Sequence, residues 1–129
     1  MNDPHMRTPL GRVYGLGSAR DGAGAWWGMR LSSIALVPLS LWWVIAIIAH
    51  AGADYAEFRH WVASPVPAIL LILTLGVTCY HLAHGVQEVV EDYVHTEAAK
   101  IAILIAVKFG AVVLAVAGIF SVLRIAFGS

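Results

Sequence analysis

Two long stretches without a charged residue dominate this 129-residue chain. Residues 31–53 and 61–87 contain no Asp, Glu, Lys or Arg, and they are 23 and 27 residues long. At about 1.5 Å per helical residue, either stretch can cross a hydrocarbon core roughly 30 Å thick. A third stretch, 101–123, is interrupted only by Lys108, whose long side chain can reach back to the membrane surface. The pattern predicts an all-α membrane protein with three transmembrane helices, at about residues 28–50, 65–92 and 99–124.

Composition supports the same class and excludes others. The chain is 60% hydrophobic and 12% charged. Soluble domains typically have roughly 45–50% apolar residues and about 25% charged residues. Its eight basic residues balance eight acidic ones, which argues against a nucleic-acid partner. A single cysteine, Cys79, excludes a disulfide framework within the chain. We therefore predict one membrane-anchor domain over residues 1–129, with a polar N-terminal arm (1–27) that lacks the apolar run of a signal peptide.

Basic residues near the span ends predict the orientation of the chain. Four arginines precede the first span, whereas the first connection and the C-terminal tail have one each: Arg7, Arg12, Arg20 and Arg30, then Arg59 and Arg124. The positive-inside rule then places the N-terminus and the connection 88–100 inside, and the connection 51–65 and the C-terminus outside. Pro65 and Pro67 suit the first turn of the second span, where a missing N–H costs little.

The second span has polar residues that a purely structural helix does not need. His81 and Asp92 are 11 residues apart, so they differ by only ~20° around a helix and by about 16 Å along it. Gly85 lies on the same face, one turn after His81. An imidazole can ligate haem iron, and a glycine lets the porphyrin edge approach the backbone. The spacing is therefore compatible with haem as a ligand.

Other interpretations of these residues stay open. His84 competes with His81 as the ligand, although its own i+4 neighbour is Glu88 rather than a small residue. The two histidines share one side of the helix and cannot clamp one haem, so a second axial imidazole would come from another chain. A buried histidine is also often only a hydrogen-bonded packing residue. Cys79 is explained as a packing residue, and Tyr93 is equally explained as an ordinary interfacial aromatic.

Together these residues resemble a known signature. The run His81-x-x-x-Gly85-x-x-x-x-x-x-Asp92-Tyr93 resembles that of the small hydrophobic membrane-anchor subunit of succinate dehydrogenase (respiratory complex II). Three spans, an inside N-terminus and an arginine that opens the first span, here Arg30, are also similar to that family. The resemblance covers essentially the whole chain. His84 and Lys108 depart from the pattern, since the family gives neither a role.

The resemblance implies a four-subunit succinate:quinone oxidoreductase of the respiratory chain and the tricarboxylic acid cycle. A flavoprotein subunit would oxidise succinate and an iron–sulfur subunit would carry the electrons, so no catalytic residue is expected here. This chain would pack with the larger cytochrome b anchor subunit into a bundle that holds b-type haem and ubiquinone. His81 would be an axial ligand of the haem iron, with Gly85 beside the ring and Arg30 near the haem propionates or the quinone. Tyr93 would hydrogen-bond a quinone carbonyl, with Asp92 beside it.

Three alternatives differ in function. The same anchor could serve a fumarate reductase, because sequence does not set the direction of electron flow. A structural anchor without haem would use His81 only for packing. An ion or proton conduit could use His81, His84, Lys108 and the acidic inner loop, but three spans would have to oligomerise to form one. We expect a multi-pass protein of the bacterial inner (plasma) membrane.

Overall fold

Three long helices account for most of the chain. The computed structural model describes the backbone of Thr8, Leu10 and residues 17–128, and the side chains of Thr8, Leu10 and residues 23–128. The helices are α1 (Gly17–Ala49), α2 (Tyr55–Ala63), α3 (Pro65–Tyr93) and α4 (Glu97–Phe127). Each long helix contains a candidate membrane span: Ala23–Ala49, Pro65–Tyr93 and Glu97–Phe127. The prediction of three long apolar helices is confirmed.

The first long helix extends into the region that was expected to be the N-terminal arm. Helix α1 already begins at Gly17, well before residue 28, where the first span was expected to start. The contacts of the chain divide it into two units, Met1–Leu31 and Ser32–Ser129. Arg7 and Arg12 lie outside the described residues, as does the side chain of Arg20.

The connection after α1 contains a short helix where the sequence predicted only a loop. Asp54 is the N-cap of α2, and its side chain accepts a hydrogen bond of 2.8 Å from the backbone N–H of Glu57. Such a cap satisfies a first-turn N–H that would otherwise lack a partner. The Asp-x-x-Glu spacing is typical of a helix start. Helix α3 then begins at Pro65, where the proline pair was expected to start a helix.

Helices α3 and α4 form an antiparallel hairpin that packs tightly at one point. Gly118 of α4 lies against Leu75 of α3, and a Cβ added to the glycine would stand 3.0 Å from the Leu75 Cδ1 atom. The glycine therefore permits a close helix approach, as small residues commonly do in membrane bundles. A small buried cluster lies where α2, α3 and α4 meet, formed by Val62, Ala68, Leu71 and Val122.

Aromatic rings join α1 to α2. Trp42 and Trp43 of α1 each lie within 6.5 Å of the Trp61 ring of α2, in stacked arrangements. The His50 ring also contacts Trp61, with centroids 4.3 Å apart. Trp42 and Trp43 thus pack α1 against α2.

Most of the large apolar side chains face outward. Among the described residues the buried apolar side chains are few and small or medium-sized, whereas residues such as Ile34, Val37 and Val113 are exposed. In water such a surface would be an aggregation hazard. Lipid tails or the helices of other subunits must cover it, because apolar surfaces of this kind are compatible with a bilayer.

Candidate functional site

His81 points from α3 towards α1. Its Nδ1 atom lies 2.9 Å from Oγ of Ser32, a residue 49 positions earlier in the chain. Ser32 is buried, with 7% of its surface exposed, and His81 is half-buried. A neutral imidazole that binds a metal through Nε2 carries its proton on Nδ1, so His81 would donate to the serine oxygen. This is the arrangement by which a second residue orients a ligating histidine.

The face of α3 next to His81 is open. A Cβ built on Gly85, one turn further along, would meet no other atom within 4 Å. Gly76 and Gly110 are equally unobstructed, so the space by itself does not identify a ligand. Combined with the orientation of His81, it leaves room for a flat ring beside the helix. These residues are compatible with a histidine that ligates haem iron.

His84 has different neighbours from His81. Its Nδ1 donates to the backbone carbonyl of Tyr80 at 3.1 Å, and its ring lies 4.2 Å from the Tyr80 ring. His84 lines a groove between α3 and α4, whereas His81 meets α1. Both histidines therefore keep Nε2 available. Only His81 has a side-chain partner from another helix and a glycine one turn away.

Tyr93 and Asp92 lie at the end of α3, away from enclosing side chains. Tyr93 is the last residue of the helix and is 78% exposed, and Asp92 is exposed as well. In the described part of the chain, no hydrogen bond joins either side chain to another residue. This chain therefore presents a phenol and a carboxylate at one end of the span without enclosing a pocket around them.

Arg30 belongs to the unit that ends at Leu31. Its guanidinium lies over the Trp26 ring, 4.9 Å from the ring centroid, in a cation–π contact. Trp26 also packs edge-to-face against Trp27, at 5.1 Å. The arginine side chain is thereby held along its own helix, one turn from the tryptophan.

Ser32 is the residue that sequence reasoning missed. It stands two positions after Arg30 in an apolar helix and is one of several serines in α1. The one available signal was that a polar residue within a membrane span requires a partner. Across the described residues, no group of three or more His, Cys, Asp or Glu side chains could hold a metal ion. A metal role for His81 would therefore be as one axial ligand.

These features define a class: an all-α membrane subunit with three spans, one of which has a histidine oriented from a neighbouring helix. Residues 4–117 match the family model for the succinate dehydrogenase/fumarate reductase transmembrane subunit. The chain is also 30% identical over 122 residues to the succinate dehydrogenase hydrophobic membrane anchor subunit of Paracoccus denitrificans, covering 95% of this chain and 94% of the relative. The anchor of the same name from Rickettsia bellii is 29% identical over 117 residues, covering 91% and 94%.

The chain therefore belongs to the family of succinate dehydrogenase/fumarate reductase transmembrane subunits. This confirms the predicted resemblance to that family, and it confirms that the chain is a subunit of a larger enzyme. The three apolar helices agree with its location in a membrane, and the similar anchors come from bacteria.

Proposed function

We propose that this chain supplies one of two axial histidines to a b-type haem and part of a ubiquinone site in a succinate dehydrogenase. The observation that carries the proposal is the contact between Ser32 and His81. It occupies Nδ1 of the imidazole, so Nε2 is the ring nitrogen that is left for a metal ion. Haem bound there would provide a one-electron redox centre beside the quinone.

A haem held by His81 would be shared between two chains. His81 and His84 lie on one side of α3, so they cannot approach opposite faces of a single porphyrin. The larger cytochrome b anchor would supply the second imidazole, and it would pack against the outward-facing apolar surface of this chain. Ser32 accepts the Nδ1 proton of His81, which fixes the ring orientation and makes the imidazole a stronger electron donor. Gly85, which has no side chain, would let the porphyrin edge approach the helix backbone.

Quinone reduction needs groups that stabilise negative charge on the carbonyl oxygens and deliver two protons. The Tyr93 hydroxyl donates a hydrogen bond to one carbonyl oxygen. Asp92 orients this hydroxyl or passes protons from water, which is accessible at the end of α3. Arg30 contributes positive charge towards the haem propionates or the quinone. The walls missing around Tyr93 are supplied by the larger anchor and the iron–sulfur subunit.

The chain is oriented with its N-terminus and the α3–α4 connection on the inner side of the bacterial plasma membrane. This orientation puts Tyr93 on the side where the iron–sulfur and flavoprotein subunits bind, so electrons from succinate reach the quinone there. The family includes fumarate reductases, and the same residues would serve electron flow in the opposite direction. Succinate oxidation is our preferred direction, because the similar anchors are named for succinate dehydrogenases.

The haem assignment is tested with His81→Ala and His84→Ala in the assembled enzyme. We expect the first variant to lose or change the reduced b-type absorption bands and the second to keep them. The subunit composition of both preparations is measured on a gel, because a lost haem is informative only when all subunits are present. An unchanged spectrum in His81→Ala would mean that His84 is the ligand or that this chain does not bind haem.

The quinone assignment is tested with Tyr93→Phe. Loss of the hydroxyl removes one hydrogen bond to the developing oxyanion, which typically costs about 10²–10³ in turnover when the donor is well placed. Tyr55→Phe is the matched control, because Tyr55 is equally exposed and begins α2 at the other end of the hairpin. Succinate oxidation with an artificial dye acceptor should be normal in both variants. Wild-type quinone reduction by Tyr93→Phe would exclude Tyr93 from the site.

A further inference from the structure

A groove runs between α3 and α4 on a side of the hairpin that the haem and quinone proposals do not use. It has a volume of about 470 Å³. Its walls are mostly apolar and include small residues of both helices. The polar side chains along it are Tyr80, His84, Gln87 and Lys108.

Lys108 is the only cation among the described residues that line this groove. No hydrogen bond or ion pair joins its side chain to another residue of the described chain. Gln87, across the groove, donates its amide to the carboxylate of Glu91 at 2.8 Å. A lysine within an apolar span is costly unless its charge reaches the interface or an anion. The groove therefore has an unneutralised positive charge at one position along an apolar path.

Helix geometry gives the depth of that charge. The 31 residues of α4 extend over about 46 Å, so about 8 Å at each end lies beyond a hydrocarbon core roughly 30 Å thick. Lys108 is 11 residues from Glu97, so its Cα lies about 8 Å inside the core. Side chains lean towards the N-terminus of a helix. Lysine has a reach of about 6 Å, and its ammonium group can therefore approach the lipid headgroups.

The residues of α3 that line the groove lie at depths similar to those of the α4 residues. Gln87 is six residues from the end of α3 and lies about 2 Å inside the hydrocarbon boundary, by the same arithmetic. Gly76 and Ala115 line the deep end of the groove at about 19 Å below that boundary, about 4 Å past the middle of the bilayer. The polar side chains of the groove thus lie towards the headgroups, with Tyr80 the deepest at about 13 Å, and the lining beyond them is apolar.

We propose that this groove binds an anionic phospholipid of the leaflet on the side of Tyr93 and Glu97. The Lys108 ammonium contacts the lipid phosphate, and one acyl chain lies along Ala111 and Ala115 against α3. The charge, the depth of the polar end and the length of the apolar part all match such an amphiphile. This site depends on the membrane location of the hairpin and is independent of the haem.

Two other partners for Lys108 are less consistent with these observations. Glu91 is a nearby carboxylate, one turn beyond Gln87, but it is hydrogen-bonded to that glutamine rather than paired with the lysine. A carboxylate on a helix of another subunit would match the charge. It would not require an apolar channel that continues to mid-bilayer.

The test measures lipid retained by the assembled enzyme after detergent purification. Native mass spectrometry counts bound phosphatidylglycerol, with phosphatidylcholine as the neutral probe, in wild type and in Lys108→Met. We expect phosphatidylglycerol to associate about fivefold more weakly with the variant, because one lysine near a membrane surface contributes about that factor to the binding of anionic lipid. Lys108→Arg should retain the lipid. Lys100→Met is the matched control, because Lys100 is on the same helix but does not line the groove.

A second pair of variants tests the apolar part separately from the charge. Ala111→Phe fills the groove and should also release phosphatidylglycerol, whereas Val113→Phe, an exposed residue outside the groove, should not. Glu91→Gln should bind the lipid at least as well as wild type. Wild-type lipid retention in both Lys108→Met and Ala111→Phe would overturn the site. Loss of other subunits from the Lys108→Met enzyme, with phosphatidylglycerol still bound, would identify a protein carboxylate as the partner and also overturn it.

Discussion

Removal of the Ser32 hydroxyl tests how His81 is oriented. In Ser32→Ala the Nδ1 atom of His81 loses the oxygen that lies 2.9 Å away, and the buried position offers little water to replace it. Partners of metal-ligating histidines typically contribute 10–100-fold to metal affinity. We therefore expect Ser32→Ala to retain haem more weakly by about that factor.

The same substitution should change the redox potential of the haem. Without an acceptor for Nδ1–H the imidazole is a weaker electron donor, so ferric iron is stabilised less and the midpoint potential rises. If the hydrogen bond differs by about 0.5–1 kcal/mol between the two oxidation states, the potential rises by roughly 20–40 mV for one electron. A spectroscopic redox titration of the assembled enzyme measures this shift.

Two control variants separate orientation of the ligand from general destabilisation. Ser32→Thr keeps a hydroxyl and should restore the potential and the haem content. Ser40→Ala removes a hydroxyl of the same helix that donates to the backbone carbonyl of Val37. This variant should change neither the potential nor the haem content. Wild-type potential and wild-type haem retention in Ser32→Ala would refute the role of Ser32 and weaken that of His81.

Three further substitutions probe the scaffold. Gly118→Val should destabilise the α3–α4 hairpin by about 1–3 kcal/mol, because the valine side chain would overlap Leu75. Gly110→Val is the control, because Gly110 faces open space and its substitution should not destabilise the hairpin. Thermal unfolding in detergent compares the two variants. Asp54→Ala should cost about 1 kcal/mol by removing the α2 cap, seen as faster amide exchange confined to that helix. Gly85→Leu should lower haem content in an enzyme that still assembles, and full haem content would mean that the porphyrin does not pass over this turn.

The local sequence pattern was sufficient to predict the long helices and the residues that share one face of α3. The charge-free stretches predicted the three spans because their length is set by bilayer thickness, a constraint that acts on contiguous sequence. The placement of His81, Gly85 and Asp92 on one face followed from helical periodicity alone. Helix α2 was missed because the hydrophobic argument searches for spans, and the Asp54 cap is a short signal within a polar connection.

Only the tertiary structure decided which side chains meet across helices. Ser32 and His81 are 49 residues apart, and the Trp42–Trp61 contact joins α1 to α2. The groove at Lys108 likewise exists only because α3 and α4 lie side by side. Periodicity gives the angle of a residue around its own helix, but the rotation of one helix against another depends on packing. The sequence by itself therefore determined that this is a three-span anchor with a histidine face, and packing decided which histidine is oriented by a neighbouring helix.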